Sequence, residues 1–241
     1  MATLTEIIQA VAPLDGRDKA TLARHGRALC QAGLIPVAPA QMTVRHAAVV
    51  LLGIYGSPVP EEAPVAVDRL GDLRHQFTDG PLREGFDGLV EGTLVETLAN
   101  MIDRAPKIIG WILQAVTSTP DWDHVHLNEQ LEQMRQGTAL IDLHVEISSL
   151  AAEITAGWGS VELLRCIFMV DAQRFQRGDY NRRVMADRRV TVGFTLRTIL
   201  ALHEAVTGAP MEGRDLGASH SQGALYDGDE RSAGVGQGAH S

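Results

Sequence analysis

Between Ala139 and Ile147 every second side chain is aliphatic. Ala139, Ile141, Leu143, Val145 and Ile147 fall on one side, and Asp142, His144 and Glu146 on the other. A period of two belongs to a pleated strand, because a helix of period 3.6 would scatter these residues around its axis. One apolar and one polar face mean a half-buried antiparallel sheet. The rest of the chain must then supply partner strands. VELLRCIFMV, residues 161–170, is apolar almost throughout and reads as a central strand. RRVTVGFTL, residues 188–196, alternates again, with Val190, Val192, Phe194 and Leu196 inward. VHL at 125–127 reads as a short extended piece and KIIGWILQAV at 107–116 as a short apolar run. LRTILALHEAV is a closing amphipathic helix. Residues 107–205 are therefore expected to form a small α+β domain, a sheet of three to five strands with a helix on one face.

The sequence before this region has a helical period. LTEIIQAV reads as a short helix closed by Pro13, with Asp15-Gly16 as the turn. DKATLARHGRALCQAGL places Leu22, Ala28 and Leu29 on one stripe, and Gly33 is the expected stop. Pro36 and Pro39 exclude a helix between them. Thr43 is the expected N-cap of VRHAAVVLLGIYG. Residues 1–57 are thus a helical head. Residues 61–104 read as a helical hairpin, EEAPVAVDRLGDLRHQF followed by LREGFDGLVEGTLVETLANMID, broken at Asp79-Gly80-Pro81. Gly85, Gly88 and Gly92 line the second helix at spacings of three and four, where each costs about 1 kcal/mol relative to Ala. Close packing against a partner helix would offset that cost, which makes the hairpin a candidate oligomerisation element. Residues 206–241 hold few apolar side chains and are expected to be a disordered tail.

Charge is unevenly spread in a chain of net charge −9. Residues 1–60 carry five bases and three acids, whereas 61–110 carry five bases and ten acids. The field a ligand meets is local, so a mildly basic head is compatible with an acidic whole. The longest continuous apolar stretch, Ala47 to Tyr55, is too short to span a bilayer, and MATLTEIIQA lacks the basic start and apolar core of a secretory signal. Cys30 and Cys166 fit no metal or disulfide spacing and read as two buried thiols of a cytoplasmic protein.

The head carries the most informative constellation. Leu22-Ala23-Arg24 lies in its second helix, Ala32-Gly33-Leu34-Ile35-Pro36 ends that helix, and Thr43 opens the next. Over residues 4–55 this order resembles the N-terminal DNA-binding half of MerR-type winged helix-turn-helix proteins. There the Leu-Arg pair lies in the recognition helix and a Gly-Leu-hydrophobic-Pro step closes it. The resemblance implies a helix-turn-helix head that reads duplex DNA. Val37–Met42, at the place of the wing, contains no basic residue. A recognition helix presents polar and basic groups with apolar anchors behind. Lys19, Thr21, Arg24, His25 and Arg27 form that set, with Arg24 for a base edge or phosphate and Lys19, Arg27 and Arg45 for phosphates.

Other clusters point less sharply. His124 and His126 would share a face of a strand, as His144 and Glu146 would on another; if paired, the two strands would bring together a metal-ligand set. Solvated side chains are the commoner outcome for such residues, and no metal is expected. Arg174, Arg177, Arg182, Arg183, Arg188 and Arg189 interleave with Phe175 and Tyr180. They read first as a hydrated loop between two strands and second as another nucleic-acid surface or a protein-docking loop. Gly157-Trp158-Gly159-Ser160 is a turn. No GxSxG, HExxH or Walker sequence occurs, so neither an enzyme nor a cofactor is expected. The layout resembles that of phage or prophage DNA-binding proteins, which implies a transcriptional regulator, a homo-oligomer on duplex DNA, with residues 107–205 as a candidate surface for a protein partner. The alternatives are a small terminase-like packaging subunit and a virion or scaffold component without a nucleic-acid role.

Overall fold

The computed structural model describes residues 2–37, 40–90, 92–116, 124–148, 150–171 and 191–217. It is an α+β fold in which ten α-helices among the described residues surround one five-stranded antiparallel sheet. The head consists of α1 (Leu4–Asp15), α2 (Lys19–Gln31) and α3 (Val44–Gly56). Thr3 and Glu6 close a reciprocal capping box on α1. This helix continues through Pro13, which the sequence reading took as its end, to a left-handed cap at Gly16. Asp18 caps α2, and Gly33 ends it at φ 72°. The Leu34 and Gly33 amides there donate to the Leu29 and Cys30 carbonyls, which completes a Schellman stop. Thr43 caps α3 as expected. Eight consecutive residues of α3, Ala47 to Ile54, are buried, so this helix is covered on all sides.

The expected hairpin takes a different form. After a 3-10 turn at Pro60–Glu62 come α4 (Ala63–Gly71) and then a strand, β1 (Arg74–Asp79), where the first helix was expected to continue. The second helix is two, α5 (Arg83–Val90) and α6 (Leu94–Asp103). They part at Gly92, whose φ of 105° is not helical, and Thr93 caps α6 with Glu96 in a second capping box. The three glycines therefore do not share one face. Gly85 lies under the Trp111 ring, and Gly88 has open space around it.

The apolar run at 107–116 belongs to α7 (Ala105–Val116), and the supposed extended piece at 125–127 begins α8 (His124–Gln136). Then follow β2 (Ile141–Ile147), β3 (Ala151–Trp158), β4 (Val161–Met169), β5 (Val192–Thr195), α9 (Leu196–Thr207) and α10 (Gly213–Gly217). The Gly159-Ser160 step is the turn between β3 and β4. Residues 206–217 depart from the expected disordered tail: α9 ends at Gly208, and Met211 and Leu216 are buried. Residues 218–241 lie outside the described residues.

The strand order is β1-β4-β3-β2-β5. One row runs across the buried face through Thr78, Cys166, Ile154, Val145 and Phe194. The adjacent row, Phe77, Ile167, Glu153, Glu146 and Gly193, faces the other way. β4 is interior, as its apolar composition requires. Val192, Phe194 and Leu196 turn toward the core, while Val190 lies outside the described residues. Buried apolar side chains from Ala2 to Leu216 make one cluster, and α1 packs along α9. No helix among the described residues is long and apolar enough to cross a membrane.

Candidate nucleic-acid interface

α2 has two unlike sides. Leu22, His25, Gly26 and Leu29 are buried against α1 and α3. Lys19, Arg24 and Arg27 are exposed on the other side, with Ala20 and Gln31 between and beyond them. Arg24 and Arg27 are three residues apart and so neighbours on the helix surface. Arg24 Nη2 donates to Thr21 Oγ1 at 3.1 Å. Among the described residues Lys19 and Arg27 make no ion pair.

Two of the expected contacts are otherwise engaged. His25 is fully buried, with Nδ1 3.0 Å from the Thr21 carbonyl and Nε2 3.0 Å from the Ser57 carbonyl. It ties α2 to the end of α3 and is not available to a ligand. The Thr21 hydroxyl donates to Asp18 Oδ2 at 2.6 Å, beside the 2.8 Å cap bond from its own amide. These bonds, with the Arg24 charge nearby, hold the Asp18 carboxyl below its usual range. A carboxylate thus occupies the anion position at the N-terminus of α2. Arg45 is exposed in the first turn of α3, with Nη1 4.0 Å from Glu96 Oε1 on α6.

Beside α2 lies a polar junction that the sequence reading missed. Arg17 makes a bidentate pair with Asp15, at 2.6 and 2.8 Å, and donates to the Ile54 carbonyl at 2.9 Å. Burial alone would raise the Asp15 carboxyl, but the Arg17 bonds and charge outweigh it and lower it. Burial, with Asp15 alongside, pushes the Tyr55 hydroxyl up to about 12. This junction fixes the turn before α2 against α3. Comparison with family models, curated proteins and solved structures finds no match.

The two segments that would have had to pair to bring a metal-ligand set together are not both strands. His124 and His126 lie on α8, a helix, and not on a strand. Glu146 pairs with Glu153 across β2 and β3. His144 Nε2 is 2.5 Å from Asp142 Oδ2. No group of three His, Cys, Asp or Glu suited to a metal occurs among the described residues. The arginine-rich segment at 174–189 lies outside the described residues. Burial raises both thiols, Cys166 to about 11, which leaves both weakly nucleophilic at neutral pH. Cys166 is buried, as expected, whereas Cys30 is only partly so.

Proposed function

We propose that the chain is a non-enzymatic DNA-binding protein that meets duplex phosphates with the exposed side of α2. One observation carries this reading: Arg24 and Arg27 stand side by side, and Lys19 is exposed at the start, on a helix whose opposite side is anchored in the core. The order of three helices over residues 4–56, with the longer connection between the second and the third, supports the helix-turn-helix resemblance. Asp18 already satisfies the amide end of α2, so phosphates are met from the middle of the helix, by Arg24 and Arg27. Three contacts are few, so useful affinity requires more than one head per complex. A regulator would be a dimer and a packaging subunit a ring, and mass in solution distinguishes them.

The test is binding to mixed duplex DNA across a salt series, beside the Arg24→Ala, Arg27→Ala variant. Counterion release gives a log–log slope of about −0.9 per phosphate, so three contacts per head give roughly −2.7. The variant is expected to lower the magnitude of the slope by about 1.8 per head. A folded protein that does not bind at low salt overturns the proposal.

A second reading, an interaction protein without a nucleic-acid role, is favoured by the open sheet face. Phe77, across from Ile167, and Met169, two residues along β4, are about half exposed there. It predicts association of the chain with protein and none with DNA.

A further inference from the structure

A cleft of about 280 Å³ opens where the end of α8, the start of β2 and the β5–α9 junction meet. Its apolar floor is Met134, Ile141 and Leu196, all buried. Its polar wall is Asp142, His144, Thr195 and Arg197. The β2–β5 ladder sets His144 directly opposite Thr195, so the wall is built by strand pairing rather than by loose surface side chains.

Arg197 and Thr195 are held in ways that leave donors for the cleft. Arg197 Nε donates to the Arg135 carbonyl at the end of α8, at 3.0 Å. The guanidinium lies over Gly137, where even a Cβ would come within 3.0 Å of Nη1. Among the described residues its two terminal nitrogens have no further hydrogen bond or ion pair. Thr195 stands at the N-cap of α9, but its side chain makes no capping bond. Its hydroxyl is therefore not taken up by the cap of this twelve-residue helix, whose first-turn amides lack a side-chain partner from Thr195. Asp142 is the one acid in this lining, and His144 already engages it.

We propose that this cleft binds a small oxyanion, a carboxylate or a phosphate ester. The Arg197 fork would take two oxygens, and Thr195 and the α9 amides would take the rest. The apolar floor would cover a few carbons of the attached group. The volume is at or below the low end for ligand sites, which restricts the ligand to metabolite size. This site is independent of the α2 surface and stands whether or not the protein binds DNA.

The experiment is calorimetric titration of the full chain with inorganic phosphate and with acetate, against sodium chloride at equal ionic strength. Saturable binding is expected, weakened about tenfold or more by Arg197→Met, since a charged hydrogen bond is worth at least one decade. His144→Gln, which removes the ring, and the isosteric Thr195→Val are each expected to weaken it several-fold. Arg24→Ala, on the α2 surface, is expected to leave it unchanged. Circular dichroism confirms that each variant is folded, and the half-exposed His144 position keeps the test valid should the Arg197 variant fail to fold. Preference for phosphate or acetate identifies the head group. Absence of saturable binding, or binding equal in wild type and the variants, overturns the proposal.

Discussion

His46 shows how one side chain joins local geometry to solution behaviour. It occupies the place of Glu in the capping box of α3: the Thr43 amide donates to its Nδ1 at 3.1 Å, and its own amide donates to Thr43 Oγ1 at 3.3 Å. Only an unprotonated Nδ1 can accept that bond. Burial, with Arg45 next to it, lowers the His46 pKa. A lowered folded value means stability that is present above the ordinary histidine pKa of about 6.5 and lost as pH falls through the folded value. His46→Gln keeps an acceptor in the box without titrating. Urea unfolding between about pH 7 and pH 5 is expected to show the wild type losing stability relative to this variant. Parallel profiles for the two proteins would refute the role given to His46. The same contrast explains what was legible in α2. Its basic residues were visible in the chain, but nothing local shows that His25 turns inward onto a carbonyl 32 residues away.

Among the elements, those with strong local signals were readable. Gly33 and Thr43 mark the ends of α2 and α3 because their chemistry is local. β2 was readable because its alternation is strict. β1 was not. In RHQFTD only Thr78 is buried, and the segment is a strand because it pairs with distant β4. VHL alone suggests an extended piece, whereas Leu127, Leu131 and Met134, all buried, spell the helical stripe of α8. The wall of the oxyanion cleft was half visible as Asp142 and His144; Thr195 and Arg197 join it only through the β2–β5 register.

The turn from β1 into α5 depends on Gly80. Its φ is +105°, and a Cβ there would lie 2.5 Å from the Leu163 carbonyl oxygen. Gly80→Ala is expected to destabilise the chain by about 2 kcal/mol or more. Gly88, in α5 with open space around it, carries the opposite sign: Gly88→Ala is expected to stabilise by about 0.5–1 kcal/mol. Chemical denaturation midpoints of the two variants check both, and a common sign would be inconsistent with the placement of these glycines.

Across the molecule, compositional segments and spatial units do not coincide. The head has its own helices but not its own core. α1 packs along α9, α3 against α4 and α6, and the Tyr55 and Phe194 rings are 5.0 Å apart. α3 alone would expose a helix that is apolar all round. A fragment of residues 1–57 is therefore expected not to fold, with little helical circular dichroism and no cooperative melt. A cooperative transition from that fragment would show that the head is self-sufficient.

β1 also sets a timetable for biosynthesis. It forms an edge of the sheet, and its neighbour is supplied by β4, with Thr78 and Cys166 separated by 88 positions. At a ribosome speed of about 5–20 residues per second, β1 waits roughly 4–18 s before its partner is even made. Phe77 spends that interval without the strand that will flank it. The nascent chain thus carries an unpaired, partly apolar edge while 88 of its 241 residues are made, an interval in which pairing with another chain competes with the native partner.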